Sequence, residues 1–360
     1  MIDILLEEFY KTDLHTPAYV ERKYLITAPY TFLFGISQSG KTFLIKRYLL
    51  GLKKSSYLYI NLNDFRIDIT LLNQALPLFC QEHKIECLVL EHYDVRIELP
   101  PVARIILSSQ KPMPLPQTFQ SLHIFPLDYE EFLAFEHKYD STVLNHFLQL
   151  GGFPKMSQLS ADEQIPYLQQ TLYHALESIE FDLFILISRY QAQKISAFSL
   201  YERLKIQRKI SKDKLYKALQ NLVESAYVHT LSKFQHARAT KKLYLCDIAL
   251  KTAFSTQKHF GRLFENLLYL EMKKRRFEIF YDEGIDFYLP AQNRVVLARP
   301  FSDGSRLFQK IEAIEAFLIT HQVKKVEIVT MASQTSLKHP FFEVEMLPFS
   351  QWAIIEGEDL

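Results

Sequence analysis

The chain has 360 residues, 48% hydrophobic, 23% charged and 14% aromatic, with 42 Lys+Arg against 41 Asp+Glu for a formal net charge of +1. That apolar content supports two to three packed domains of roughly 150 residues and excludes a disordered or fibrous chain. The even charge balance excludes a globally basic nucleic-acid coat protein, so any nucleic-acid surface is a local patch.

The N-terminus, MIDILLEEFY, is acidic and amphipathic, without the positive segment and apolar core of a signal peptide. No uncharged apolar run reaches the roughly 18 residues of a membrane span. Three scattered cysteines, Cys80, Cys87 and Cys246, make neither a disulfide framework nor a zinc site. The reading is a cytoplasmic protein in a reducing compartment, with no membrane partner. There are only 9 glycines, where average usage of about 7% would give roughly 25. Scarce glycines mark positions that need glycine, and two pairs stand out: Gly35 with Gly40, and Gly151 with Gly152.

Along the first 130 residues, strand-like and helix-like runs alternate. Tyr30 to Phe34 (YTFLF) predicts a strand, Lys41 to Leu50 a helix, Tyr57 to Leu62 a strand and Ile69 to His83 a helix. Ile85 to Glu91 and Ala103 to Leu107 predict two more strands. Apolar strands separated by helices imply a parallel sheet covered on both faces. The proline-rich stretch Gln110 to Gln117 is a loop, Leu122 to Phe125 a fifth strand, and a helix capped by Asp128 runs to Glu136.

Residues 145–190 read as helical. A short helix, Leu200 to Leu204, precedes a second one behind Ser211 as N-cap, with Leu215, Leu219, Leu222 and Val223 on one face. Two β-like runs follow, Tyr227 to Leu231 and Lys242 to Cys246. Helix, helix, hairpin is the order of a winged helix. A helix over Leu263 to Lys274, strands near Phe277 to Tyr281, Asp286 to Leu289 and Arg294 to Leu297, a helix over Gln309 to Thr320 and a strand over Lys325 to Val329 make a second α/β unit.

Gly35-Ile36-Ser37-Gln38-Ser39-Gly40-Lys41-Thr42 fits G-x-x-x-x-G-K-[ST], with an apolar strand before it and a helix after it. In that context the backbone N–H groups of Gly35, Ser37, Gln38, Ser39 and Gly40 cradle phosphates, aided by the positive end of the helix dipole. Lys41 reaches the β- and γ-phosphates, and Thr42 offers its hydroxyl to Mg²⁺. Such a site also takes a metal-holding carboxylate from a neighbouring strand end. Glu91 is in that place after Leu88-Val89-Leu90, and His92 follows where a second acid would polarise water. Histidine is able to orient a water or act as a base, while loss of the acid favours slow hydrolysis. Ser109 is suited to sense the γ-phosphate. The direction of nearby Asp94 depends on whether the strand runs on past Glu91.

These motifs, in their order, resemble one family. FLFGISQSGKT, YINLNDFR, LVLEHYD, IILSSQ, FPLDYEEF, LQLGGFP, KLYLCDIAL, GRLFENLLYLEM, GIDF, KKVEIVT and MLPFSQW span nearly the whole chain. They resemble the bacterial and archaeal AAA-like ATPases whose C-terminal domain, of unknown function, has a restriction-endonuclease-like core. The resemblance implies an α/β fold in three parts: a P-loop AAA-like domain over 1–140, a helical and winged-helix domain over 141–255, and a restriction-endonuclease-like domain over 256–360. It implies ATP and Mg²⁺ as ligands, with Lys41 and Thr42 on the nucleotide and Glu91 at the metal.

Three departures qualify it. His92 replaces the family's catalytic glutamate. The family's Gly-Arg pair before FPLDYEEF has no arginine in Pro116 to Gln120, so a charge-neutralising arginine is either missing or supplied by another subunit, a second copy or a protein partner. Glu265 and Asp286 match two nuclease positions, but the Glu-x-Lys position reads Leu297-Ala298-Arg299. One metal carboxylate is lost, and arginine cannot act as a base, so the domain reads as a non-cutting fold. A basic patch runs through Lys205, Arg208, Lys209 and Lys212, with Lys233, Arg238, Lys241 and Lys242 around the hairpin. On a winged helix these residues would face DNA. The leading expectation is a slow or partner-dependent ATPase acting as a nucleotide switch. A DNA-binding protein with incidental nucleotide is the alternative, and a Mg²⁺-dependent nuclease is the least favoured.

Overall fold

The computed structural model describes residues 2–15, 21–137, 142–302 and 311–358. The chain is a mixed α/β protein that divides into two compact units, Met1–Phe125 and Pro126–Leu360. The expected division at 140/141 falls outside the described residues.

The first unit is built on five parallel strands: β1 (Tyr30–Phe34), β2 (Tyr57–Asn61), β3 (Cys87–Glu91), β4 (Arg104–Ser109) and β5 (Gln120–His123). Their order is β2-β3-β4-β1-β5. Successive residues of a strand face opposite sides, and both sides of β1 to β4 are covered, which is why those strands have apolar centres, whereas the edge strand β5 (QSLH) is polar and half-exposed. Leu33, Val89 and Ile106 lie with Leu44, Ile45 and Leu49 of α2 (Lys41–Leu49). Phe32, Leu88, Leu90 and Leu107 lie on the other side, with Leu6 of α1 (Ile2–Lys11) and Leu72, Leu76 and Phe79 of α3 (Ile69–Glu82).

The fifth strand starts and ends two residues earlier than predicted, pairing Thr31 with Gln120 and Phe34 with His123. Phe125 is drawn off the ladder, because its N–H donates to the Tyr24 hydroxyl (3.3 Å) and its carbonyl accepts from Arg22 Nη2 (2.8 Å).

In the second unit the predicted helical stretch resolves into α5 (Thr142–Leu150), α6 (Ala161–Ala175) and α7 (Ser178–Ser188), preceded by α4 (Tyr129–Glu136). Asp128 caps α4 in a reciprocal capping box with Glu131. α8 (Ala197–Gln207) is longer than predicted, because Ser196 caps it by accepting from Ser199 N (3.0 Å). Ser211 caps α9 (Lys212–Glu224) as expected, and Leu215, Ala218 and Leu222 are its buried stripe. α7 packs against both α8 and α9. Beside them β6 (Gln193–Lys194), β7 (Val228–Leu231) and β8 (Lys242–Leu245) form an antiparallel sheet in the order β6-β8-β7.

α10 (Ala249–Phe254) and α11 (Phe260–Lys274) lead into a mixed sheet. It contains β9 (Phe280–Asp282), β10 (Ile285–Leu289), β11 (Arg294–Ala298), β12 (Lys325–Thr330), β13 (Thr335–Lys338) and β14 (Glu343–Pro348), in the order β13-β14-β12-β11-β10-β9. The helix predicted from Gln309 is seen as α12 (Glu315–Thr320); positions 309–310 lie outside the described residues. A last helix, α13 (Phe349–Glu358), is anchored by Trp352, whose Nε1 donates to the buried Glu327 carboxylate (2.9 Å).

One polar hub joins distant segments of this unit. Asp247 accepts from Gly152 N (2.7 Å) and Ala249 N (2.8 Å). Leu127 N donates to Gly152 O (2.7 Å), and Lys274 Nζ donates to Leu127 O (2.7 Å). Asp247 is so enclosed that burial pushes its carboxyl up to about 6, although the two amide hydrogen bonds oppose the shift.

Candidate phosphate-binding site

β1 runs straight into the glycine-rich loop. Gly35 is required by close approach: a Cβ there would lie 2.2 Å from the Ile124 carbonyl oxygen. Gln38 (φ +64°) and Gly40 (φ +100°) adopt left-handed backbone, which folds the chain tightly before α2 begins. Gly40 is the N-cap and brings no side-chain cap. The first amides of α2 carry the positive end of the helix dipole, which suits an anion.

Lys41 is buried, and its Nζ donates to Gly35 O (2.7 Å) and Ile36 O (2.8 Å), so the loop's own carbonyls hold the ammonium. Burial lowers its pKa to about 8, against the opposing pull of the Glu91 charge. Thr42 follows on the exposed side of the first turn, Ser37 is half-buried and Gln38 is exposed. The Ser39 hydroxyl is fully buried and has no hydrogen-bond partner among the described residues. The Ser39 carbonyl accepts from Arg22 Nη1 (3.0 Å).

The strand order brings the other candidates to the same edge. Ser109 ends β4 directly beside Phe34 of β1. Its hydroxyl accepts from Lys111 N (3.3 Å). Glu91 ends β3 on the far side of β4, opposite Asn61 of β2. It is only 3% exposed, and its Oε2 accepts a hydrogen bond from the Tyr59 hydroxyl. Burial, reinforced by Glu91, raises the Tyr59 pKa. His92 is half-buried and turns the chain sharply with φ +57°. Burial lowers its pKa, with Lys41 reinforcing and Glu91 opposing, so a neutral imidazole is favoured. The strand stops at this turn. Asp94 lies in an exposed loop and is engaged by Arg96 N (2.9 Å) and the Arg96 guanidinium (2.6 Å).

Glycines 35 and 40, Lys41, Thr42, Glu91, His92 and Ser109 thus come from one end of one parallel sheet. The donor set fits a nucleotide's phosphates and a hard cation: amides at a helix N-terminus, a buried ammonium, a hydroxyl and a buried carboxylate. Sequence reasoning missed two residues, Arg22 and Tyr59. Arg22 is in a segment without periodicity, and Tyr59 reads as an ordinary aromatic strand residue.

The candidates in the second unit are placed differently. Glu265 Oε1 accepts from Lys242 Nζ (2.8 Å) and from the Tyr244 hydroxyl (2.7 Å). Asp286 accepts from the Arg299 guanidinium and from Ala298 N (2.9 Å). Each carboxylate therefore has a cation from the chain itself. Among the described residues no group of three or more His, Cys, Asp or Glu is placed to hold a metal.

Of the basic patch, Arg208 binds Asp182, and Lys233 is engaged by Asp282 (3.6 Å) and Glu283 (3.3 Å). Lys205, Lys209, Lys212, Arg238 and Lys241 are exposed. Lys205 lies over the Tyr201 ring (5.6 Å) and Lys212 over the Phe198 ring (5.0 Å).

Cys80, Cys87 and Cys246 are buried free thiols. Among the described residues no helix is long and apolar enough to cross a membrane.

No family model matches the chain. Uncharacterized protein MJ1544 of Methanocaldococcus jannaschii is 24% identical over 393 residues, covering 89% of this chain and 87% of that protein. Among solved structures, the chain is similar to the Walker-type ATPase PABY2304 of Pyrococcus abyssi, with 12% identity and a TM-score of 0.43 over 63% of this chain and 91% of that one. It is also similar to the Aeropyrum pernix ORC1 protein in complex with DNA, with 12% identity and a TM-score of 0.33 over 66% of this chain and 89% of that one.

Proposed function

We propose that the protein is a P-loop ATP-binding protein that acts as a nucleotide-dependent switch, with slow or partner-dependent hydrolysis. The observation that carries this reading is the glycine-capped, tightly folded loop at the start of α2 with buried Lys41 in it, at the sheet edge that also bears Glu91. Loop amides and Lys41 hold the phosphates, exchanging the loop carbonyls Gly35 O and Ile36 O for phosphate oxygens. Thr42 and Glu91 would hold Mg²⁺, which when bound neutralises phosphate charge. Ser109 is placed at the strand end beside β1, suited to sense the terminal phosphate. His92, favoured as the neutral imidazole, is able to accept a proton from a water but lacks a carboxylate's charge. That difference is the reason for assigning slow turnover.

In the same reading the chain is organised as a nucleotide-binding domain, a winged-helix middle and a degenerate restriction-endonuclease-like end. The cation-filled Glu265–Asp286 pair argues against cutting. The test is a fluorescent-ATP titration with Mg²⁺, comparing wild type with Lys41→Ala. A hydrogen bond to a charged group contributes about 1.5–3 kcal/mol, so the variant is expected to bind roughly 10- to 100-fold more weakly. Equal affinity in the two proteins refutes the proposal.

A second reading, nucleic-acid binding, is favoured by one observation: Lys205, Lys209, Lys212, Lys214 and Lys217 are all exposed on two adjoining helices and the loop that joins them. Charge reversal of Lys205, Lys209 and Lys212 together is expected to abolish a salt-sensitive DNA mobility shift. Arg208 is left out because it serves Asp182. A wild type that gives no shift at low salt ends this reading.

A further inference from the structure

We propose that Tyr59 is the positioning residue for the metal-holding carboxylate Glu91. The inference rests on the nucleotide reading above and gives a role to a residue, the first of YINLNDFR, to which that reading assigns none.

The geometry is a diagonal contact between neighbouring parallel strands. Asn61 of β2 is opposite Glu91 of β3, and Tyr59 is opposite Val89. Residues two apart on a strand share a face, so Tyr59 projects from the side of the sheet that bears Glu91. A tyrosine is long enough to span that diagonal, and its hydroxyl donates to Glu91 Oε2.

A carboxylate that is only 3% exposed needs partners for its charge and for its lone pairs. Lys41 acts on it through charge, while two of the ammonium's hydrogens go to Gly35 O and Ile36 O. The directional bond comes from Tyr59. Engaging Oε2 fixes the carboxylate's rotation about its last bond, so that the remaining oxygen, Oε1, has one direction in place of many. Carboxylates that ligate metals are usually held in this way by a donor behind them, and removing that donor typically lowers metal affinity about 10- to 100-fold.

A tyrosine that merely filled space, or that merely satisfied a buried acid, would affect the fold and leave the metal dependence untouched. The experiment separates these cases by measuring nucleotide affinity twice, with EDTA and with saturating Mg²⁺. The probe is a fluorescent ATP analogue and the proteins are wild type, Tyr59→Phe, Glu91→Gln and the double variant. The ratio of the two affinities is the Mg²⁺-dependent gain.

Tyr59→Phe is expected to leave the EDTA affinity within about twofold of wild type and to cut the Mg²⁺-dependent gain about 10-fold or more. In the Glu91→Gln background the same substitution is expected to change nothing further, because the ligand it positions is already lost. A Mg²⁺-dependent gain that survives Tyr59→Phe intact overturns this inference alone. So does an equal loss with EDTA and with Mg²⁺, which marks a structural role. A wild type without any nucleotide binding overturns the parent reading along with it.

Discussion

Gly151 has φ +68°, and a Cβ placed there would lie 2.0 Å from Asp247 Oδ1. Both the backbone conformation and the space therefore demand glycine. Gly151→Ala forces a left-handed alanine, at roughly 1–2 kcal/mol, and also displaces the aspartate that holds Gly152 N. A total loss above about 2 kcal/mol is expected from urea unfolding, with the slope of the transition unchanged. The low glycine count made this position legible in the sequence, as it did Gly35 and Gly40. Its partner was not legible. Asp247 is 95 residues from Gly152, and nothing in KLYLCDIAL marks that aspartate as more than a loop acid. Tyr59 escaped for a related reason, since a hydrogen bond across two strands leaves no trace in either strand's own pattern.

Elements were readable where a local rule fixes them. Asp128 precedes Glu131 by the capping-box spacing, and both reciprocal bonds form at the start of α4. Asp128→Ala is expected to cost about 1 kcal/mol, seen as a lower thermal midpoint. Strands β1 to β4 of the first sheet were readable because burial on both faces keeps their centres apolar. Their ends were less so, since the pull of Arg22 and Tyr24 on Phe125 comes from a segment far away in sequence. β13 (TSLK) escaped notice because an edge strand with mostly exposed residues needs no apolar signal. β14 alternates apolar and polar over only a short run, so its pairing with β12 shows only once the sheet is assembled.

For the molecule as a whole, the buried carboxyl of Asp247 makes stability depend on pH. Its folded value of about 6 is above the ordinary 3.8, so the folded state binds this proton more readily than the unfolded chain. The contribution is complete below the unfolded value and is lost as pH rises through about 6, a difference of about 3 kcal/mol. Replacing it in Asp247→Asn is expected to remove that downward slope relative to wild type, measured by urea unfolding from pH 4 to pH 7. An identical slope in both proteins assigns the pH dependence to other groups. The first unit holds a different kind of long-range tie. One guanidinium, that of Arg22, clasps both the Ser39 carbonyl in the glycine loop and the Phe125 carbonyl at the unit's last residue. A shift of either carbonyl strains the clasp on the other. A change in the glycine loop and a change at Phe125 are accordingly registered by one and the same side chain, that of Arg22.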